Sequence, residues 1–455
     1  MPSLKISITG VRGVVGESLD PRLLTNFAQA FGTFVGPSRV LVSQDTRPSG
    51  QMVASCVAAG LLATGCDVVH VGICPTPALQ WAVRSTDAAG GIAVSGGHNA
   101  MEWNALKFIR EDGLYLNPSQ GEELLNIYHQ HEFAKAQHSD ISATIHHTDD
   151  APQAHMANIL GHIDVAAIRS ASLKVAVDCC NGACSGVSPE FLAELGCEVV
   201  PINTDIGQPF PHEPAPEPHN LGQLRAIVAA AKADVGFAHD ADGDRLGVVT
   251  AEGGAPGDEV TLCLAAEAVL SQGHQGPIVT NVSTSAGIEH VAARYGRAVI
   301  RTRVGQSFVA EAALSNDASI AGEGSGGVMF PHINCAHDSI AALGHILQLM
   351  AQTGRSIGDL VDSLPKLHMF KLTIPCPAER VSGVIDEIRR EAEEGAFGGE
   401  IDMEDGVKIT QGSSWVHVRA SITEPLVRVI TEAEQHEEAE SLAERFARRV
   451  RRAVM

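Results

Sequence analysis

The chain has no CxxC pair and no HExxH segment, which removes two common short signatures of a zinc site. Its ten cysteines are scattered. Cys179, Cys180 and Cys184 cluster at the end of an apolar run, but no second Cys/His pair stands at zinc spacing. They read as reduced, mostly buried thiols of a cytoplasmic protein. The twenty histidines form no close metal-binding pair and are expected mostly at surface or capping positions. Met1 to Gly10 lacks an apolar signal core, and charge, Gly or Pro breaks every long apolar stretch. Neither a secretory leader nor a membrane span is therefore expected. Basic residues are also scarce, with 32 Lys and Arg against 54 Asp and Glu and a net charge of −22. That imbalance argues against nucleic-acid or anionic-membrane partners, while leaving room for local basic sites that hold small phosphates.

What the chain has is length and a repeated grammar. At 455 residues it exceeds a single core, and the usual domain size suggests about three or four domains. Three times a short apolar run leads to a loop rich in Gly, Ser or Asp and then to a helical pattern. In the first round Val40-Leu41-Val42-Ser43 precedes the loop 45–50, an amphipathic segment 51–64 and further strands at 67–71 and 91–94. The second has strands at 173–178 and 198–200, with helices near 189–195 and 221–232. The third has strands at 278–280 and 298–300, with helices near 259–270, 286–294 and 308–314. Strands alternating with helices imply α/β domains with parallel or mixed sheets, whose ligands sit beyond the carboxyl ends of the strands. The polar stretch 138–152 and the Gly/Pro break 252–257 suggest linkers. After Pro365, alternation at 370–374 and 415–418 around an acidic helix suggests a smaller α+β unit. The expected domains are 1–150, 151–256, 257–365 and 366–455. The segment 434–452 carries acids first and arginines last, which suits a terminal helix.

Asp240-Ala241-Asp242-Gly243-Asp244-Arg245 is the most informative stretch. Apolar runs precede it (234–238) and follow it (246–249), so it reads as a tight loop between buried strands. Three adjacent anions repel, and all-oxygen ligation suits Mg²⁺ or Ca²⁺. An EF-hand loop would need glycine at its sixth position and glutamate at its twelfth; here these are Arg245 and Ala251. A solvated acidic turn is the alternative, although it would need no apolar strand on either side. Arg245 beside the carboxylates suggests an anionic ligand, most simply a phosphate. Arg419, Ser421 and Thr423 place a cation and two hydroxyls within five residues, a set able to hold a phosphate or simply to end a strand in a turn. Glu323 and Ser325 lie among glycines, where they could read sugar hydroxyls. Lys107 sits between apolar neighbours; partial desolvation would lower its pKa for proton transfer, and a snorkelling surface lysine is the alternative.

Taken in order, these loops resemble the α-D-phosphohexomutase superfamily over nearly the whole chain. The carrying motifs are Ser95-Gly96-Gly97-His98-Asn99 with Glu102-Trp103-Asn104-Ala105-Leu106-Lys107, then 240–245, Gly322-Glu323-Gly324-Ser325-Gly326-Gly327, and Arg419-Ala420-Ser421-Ile422-Thr423-Glu424-Pro425. Gly10-Val11-Arg12-Gly13, Asp45-Thr46-Arg47-Pro48-Ser49-Gly50, Pro75-Thr76-Pro77 and Thr302-Arg303-Val304-Gly305 support it. The resemblance implies four domains around a central cleft, three similar α/β domains with mixed sheets and a smaller C-terminal α+β domain. It implies a cytoplasmic monomer or homodimer that exchanges phosphate between the 6- and 1-positions of a hexose through a 1,6-bisphosphate, with glucosamine phosphate the best match. Asp240, Asp242 and Asp244 would hold Mg²⁺. Arg12 and Lys107 would serve catalysis, Arg245, Gln306, Glu323 and Ser325 would contact the sugar phosphate, and Arg419, Ser421, Thr423 and Arg428 would hold the distal phosphate.

The chain departs from the pattern where the phosphoserine should directly precede His-Asn, because that residue is Gly97. Ser95 lies two residues upstream, about 7 Å by chain reach, whereas attack needs roughly 3–3.5 Å. His98 is the other carrier candidate, since imidazole can take a phosphoryl group. A sugar-phosphate-binding protein without transfer activity is the alternative function. Gly327 and Gln306 also stand where some relatives have histidine, and Ile422 replaces a frequent glycine.

Overall fold

The computed structural model describes residues 4–7, 9–141, 145–421 and 425–454. They build four sheets. The first has seven strands in the order Lys5–Ser7, Gly10–Val14, Trp103–Arg110, Gly90–Val94, Arg39–Gln44, Asp67–Ile73, His146–His147. Arg39–Gln44 runs parallel to both neighbours, while Trp103–Arg110 runs antiparallel to Gly90–Val94 and to Gly10–Val14. Gly90–Val94 is buried throughout, as a strand covered on both faces must be. The antiparallel pairing sets Arg12 opposite Ala105 and Lys107 opposite Gly10.

The second sheet orders Leu246–Thr250, Val235–His239, Lys174–Asp178 and Glu198–Ile202. Val235–His239 pairs antiparallel with Leu246–Thr250, and the aspartate loop joins them. Both strands are wholly buried, so the loop between them is not a solvated turn. The third sheet orders Val299–Thr302, Ile278–Asn281, Ile320–Glu323, Gly327–Phe330 and Asn334–His337, parallel at first and antiparallel at the end. The fourth sheet, His368–Pro375 to Leu426–Ala433, is antiparallel throughout. Helices Ala378–Glu393 and His436–Val454 close its core. The three mixed α/β sheets and the α+β fourth are the architecture the sequence led us to expect.

Several helices escaped the sequence reading, among them Pro21–Val35, Pro118–Gln130 and Ser339–Thr353. Ser339–Thr353 is buried at every position from Ser339 to Met350 and joins the cores of the second and third sheets. A helix apolar all round has no polar face, so it shows no amphipathic period. Its first residue positions the site: the Ser339 hydroxyl donates to the Gly243 carbonyl at 2.6 Å, fixing the aspartate loop from behind.

Five histidines depart from the expected surface positions. His155, His239, His337, His345 and His417 are buried. Three have hydrogen-bond partners that offset their burial, as where His239 sits between the hydroxyls of Ser188 (2.8 Å) and Ser339 (2.7 Å), and His155 Nε2 stands 2.9 Å from Asp338 Oδ2. All ten cysteines are free thiols, eight of them buried. Among the described residues, no helix is long and apolar enough to cross a membrane.

Candidate active site

Asp240, Asp242 and Asp244 bring one carboxylate oxygen each to within 4.8 Å of one another. The loop shapes this cluster through its backbone. Gly243 adopts φ +74°, and Asp240 Oδ1 accepts hydrogen bonds from the N–H groups of Asp244 (3.0 Å) and Arg245 (3.2 Å). The side of the molecule built on the first sheet supplies the other clamps. Thr76 donates its hydroxyl to Asp242 Oδ2 at 2.5 Å, and Lys107 Nζ reaches the same oxygen at 2.7 Å and Asp244 Oδ2 at 3.2 Å. After these contacts Asp240 Oδ2, Asp242 Oδ1 and Asp244 Oδ1 remain buried without hydrogen-bond partners. One bare oxygen per aspartate, in an all-oxygen donor set, fits a hard divalent cation such as Mg²⁺.

Lys107 corrects one expectation. Burial alone would lower its pKa, but Asp242 and Asp244 outweigh burial and raise it well above the ordinary lysine value. Its Nζ is thus anchored between two carboxylates.

The loop at 95–99 is braced from beneath. Ser95 donates its hydroxyl to Asp45 Oδ2 at 2.6 Å and accepts from the Gly97 N–H at 2.9 Å. Arg47 pairs with Asp45 and donates to the carbonyls of Gly97 (3.0 Å) and Asn99 (2.5 Å). The Ser95 hydroxyl is thus engaged within the loop, although Ser95 lines the cleft. Asp45 and Arg47 have no exposed side-chain surface, so Arg47→Met would strand a buried carboxylate. That variant is expected to lose about 3–5 kcal/mol of stability in urea denaturation.

Gly97 takes φ +55°, and a Cβ built there would touch only Asp242 Oδ1 and Lys107 Nζ, each at 3.5 Å. A side chain at this position would begin between Asp242 and Lys107. Next to it, His98 is partly exposed. The positive charge of Arg245, burial, and then Arg12 and Lys107 push its pKa well below the ordinary value, against the pull of Asp244. It is a neutral imidazole among three cations.

A cleft of about 250 Å³ gathers Arg12, Ser95, Gly97, His98, Lys107, Asp244, Arg245, Gln306 and Glu323. Glu323 Oε1 accepts from Asn281 Nδ2 at 2.6 Å and from the Gly305 N–H at 3.1 Å, which ties the sugar-type loop to the turn before Gln306. Ser325 is partly buried beside it but does not line the cleft. Among the cleft residues that escaped the sequence reading are Tyr115 and His337. Neither lies in a recognisable motif; each arrives by strand geometry alone.

The fourth domain reaches the site through Asp405. Its Oδ2 accepts from Arg419 Nε at 3.1 Å and from the Val304 N–H at 3.0 Å. Arg419 is buried, and its Nη2 has no hydrogen-bond partner. Arg428 lies opposite Arg419 on the neighbouring strand, exposed. The Ser421 N–H closes the loop on the Leu426 carbonyl at 3.0 Å. Ile422 and Thr423 lie outside the described residues. None of Arg419, Ser421 and Arg428 lines the 250 Å³ cleft itself.

Comparison with known proteins decides the family. Models of phosphoglucomutase/phosphomannomutase α/β/α domains I, II and III match residues 4–135, 153–254 and 256–368, and the model of the C-terminal domain matches 376–449. A phosphoglucomutase/phosphomannomutase of Thermococcus kodakarensis is 36% identical, with 96% of each chain covered. The chain belongs to the phosphoglucomutase/phosphomannomutase family. It is thus a phosphohexomutase-type isomerase of the α-D-phosphohexomutase superfamily, with that superfamily's four-domain α/β architecture. A probable phosphoglucosamine mutase of Methanopyrus kandleri is 34% identical over 98% of this chain and 97% of its own. Among solved structures, a phosphoglucomutase/phosphomannomutase family protein of Burkholderia thailandensis superposes with a TM-score of 0.86 at 29% identity, covering 98% of both chains. Within a phosphohexomutase frame the aspartate loop, the 95–99 loop and the Glu323 loop meet in one cleft, and the Arg419 loop is tethered to its edge.

Proposed function

We propose that this phosphohexomutase interconverts glucosamine 6-phosphate and glucosamine 1-phosphate through a 1,6-bisphosphate, with Mg²⁺ on the aspartate cluster and His98 as phosphoryl carrier. The observation that carries the reading is the hollow over Gly97, which Asp242 Oδ1 and Lys107 Nζ border and where no side chain intrudes. A phosphoryl group there would meet a lysine cation on one side and the metal-binding oxygens on the other. Bound Mg²⁺ would supply positive charge to the phosphoryl group in transit, by way of Asp240, Asp242 and Asp244. His98 suits the carrier role because its imidazole is neutral and therefore nucleophilic, while Arg12, Arg245 and Lys107 surround it with the cations an incoming phosphate needs. Ser95 suits it less, since its hydroxyl already serves Asp45 and Gly97.

The glucosamine assignment rests on Glu323, whose carboxylate faces the cleft and suits an amino sugar, and on the name of the Methanopyrus relative. Arg419 would grip the phosphate that is not reacting, since its bare buried Nη2 offers a charge-assisted donor. Arg419→Lys keeps the charge and loses the planar fork. It is expected to raise KM about ten- to hundredfold with little change in kcat, the size of one lost hydrogen bond to a charged group.

The second reading is a sugar-phosphate-binding protein without transfer, favoured by one observation: Gly97 carries no nucleophile. Incubation with glucose 1,6-bisphosphate and Mg²⁺, followed by peptide mass spectrometry and an isomerisation assay, separates the two. Phosphate on His98 with turnover supports the mutase. An unmodified chain that binds glucosamine phosphate but never isomerises it establishes the binding protein.

A further inference from the structure

The mutase reading leaves one proton unassigned. A sugar hydroxyl that attacks a phosphoryl group must lose its proton, and the departing oxygen in the reverse half-reaction must regain one. Most titratable groups in the cleft are ruled out by their surroundings. Lys107 spends its Nζ on Asp242 Oδ2 at 2.7 Å and Asp244 Oδ2 at 3.2 Å, and burial pushes the Tyr115 hydroxyl pKa far up. Asp244 belongs to the metal cluster, and His98 carries the phosphoryl group. Glu323 has Oε1 fixed by Asn281 and the Gly305 N–H, which suits it to orienting the amino sugar and not to carrying its proton.

His337 remains. It ends the strand Asn334–His337, lines the cleft and is 4% exposed. Its Nε2 is buried without a hydrogen-bond partner, 3.9 Å from Glu323 Oε2. The ring lies against Gly327 so closely that a Cβ there would stand 2.5 Å from Nδ1. Only glycine at position 327 leaves room for the imidazole, so the glycine that ends the sugar-type loop and the histidine on the next strand form one unit. Glu323, Asp244, Arg245 and Lys107 are the charged groups that face it.

We propose that His337 is the acid–base residue for the reacting sugar hydroxyl, a role that rests on the mutase reading above. As the hydroxyl attacks, an oxygen lone pair forms the new O–P bond. The O–H bond breaks with its pair left on oxygen, and the proton passes to Nε2. The N–P bond at His98 breaks with its pair left on nitrogen. In the reverse half-reaction the Nε2 proton returns to the departing sugar oxygen. Glu323 positions the ring and balances the imidazolium charge.

The test uses the full chain with Mg²⁺, glucose 1,6-bisphosphate and glucosamine 6-phosphate. His337→Gln is expected to lower kcat about 10²- to 10⁴-fold, with KM changed less than a few-fold and Mg²⁺ affinity unchanged. Free imidazole is expected to restore part of the turnover of His337→Ala and none of the turnover of Asp242→Ala. In wild-type protein labelled with ¹⁵N-histidine, the His337 Nε2 resonance is expected to move when glucosamine 6-phosphate saturates the site. A His337→Gln enzyme with wild-type kcat, or a resonance that stays still at saturation, overturns the proposal. If the wild type isomerises no sugar phosphate, the mutase reading fails, and the resonance still decides whether His337 meets the sugar.

Discussion

Gly97→Ser is expected to acquire one covalent phosphate from glucose 1,6-bisphosphate and to turn over at least ~100-fold faster than the wild type, because a nucleophile would then begin where the phosphoryl group must land. A Cβ there lies in ordinary contact with Asp242 Oδ1 and Lys107 Nζ at 3.5 Å and with nothing nearer, so the new hydroxyl has room beside both the carboxylate and the cation. The backbone charges a toll, since φ at this position is +55°. A left-handed conformation costs an L-residue roughly 1–2 kcal/mol, which should appear as a small drop in Tm. Strain therefore reads out in stability and chemistry in rate, and the two are measured separately. Intact-mass analysis and a coupled isomerisation assay check the result. A serine variant that stays unphosphorylated and no faster would show that the hollow over Gly97 is not the transfer position.

Asp242→Ala is expected to abolish Mg²⁺ binding by calorimetry and to lower kcat by ~10³-fold or more, the scale on which preorganised charge acts in a buried site. Asp242 is the member that domain I holds most tightly, through Thr76 at 2.5 Å and Lys107 at 2.7 Å. Its loss removes a ligand and the link between two domains together. A thermal-shift series separates these effects. Mg²⁺ is expected to raise the Tm of the wild type by mass action and to leave that of Asp242→Ala unmoved. An undiminished response of the variant to Mg²⁺ would place the metal elsewhere.

Much of this site was legible as text because its parts are local. Three carboxylates in five residues repel one another, and the two apolar flanks favour a buried loop with a cation over a solvated turn. The Val235–His239 and Leu246–Thr250 hairpin then follows from composition alone. The strand–loop–helix grammar likewise comes from hydrophobic period, so the helices Gly50–Ala63, Gly222–Ala231 and Glu259–Ser271 fall within a residue or two of expectation. Ser339–Thr353 did not, because a helix buried all round carries no period to read.

The protonation states and partnerships were decided only in three dimensions. Lys107 looked like a lysine with a lowered pKa, since its neighbours in sequence are apolar. Its neighbours in space are Asp242 and Asp244, 135 and 137 positions away, and they hold it charged. Ser95 looked free, but Asp45 had claimed its hydroxyl across 50 positions. His337 and Gly327 are ten residues apart, and nothing in their order marks them as a pair; the antiparallel turn of two strands lays one against the other. Sequence specifies which chemical groups exist and which segments must be buried, because those follow from local composition and period. The charge and availability of each group depend on what lies within a few ångströms, and that is set by how segments distant in the chain meet in the fold.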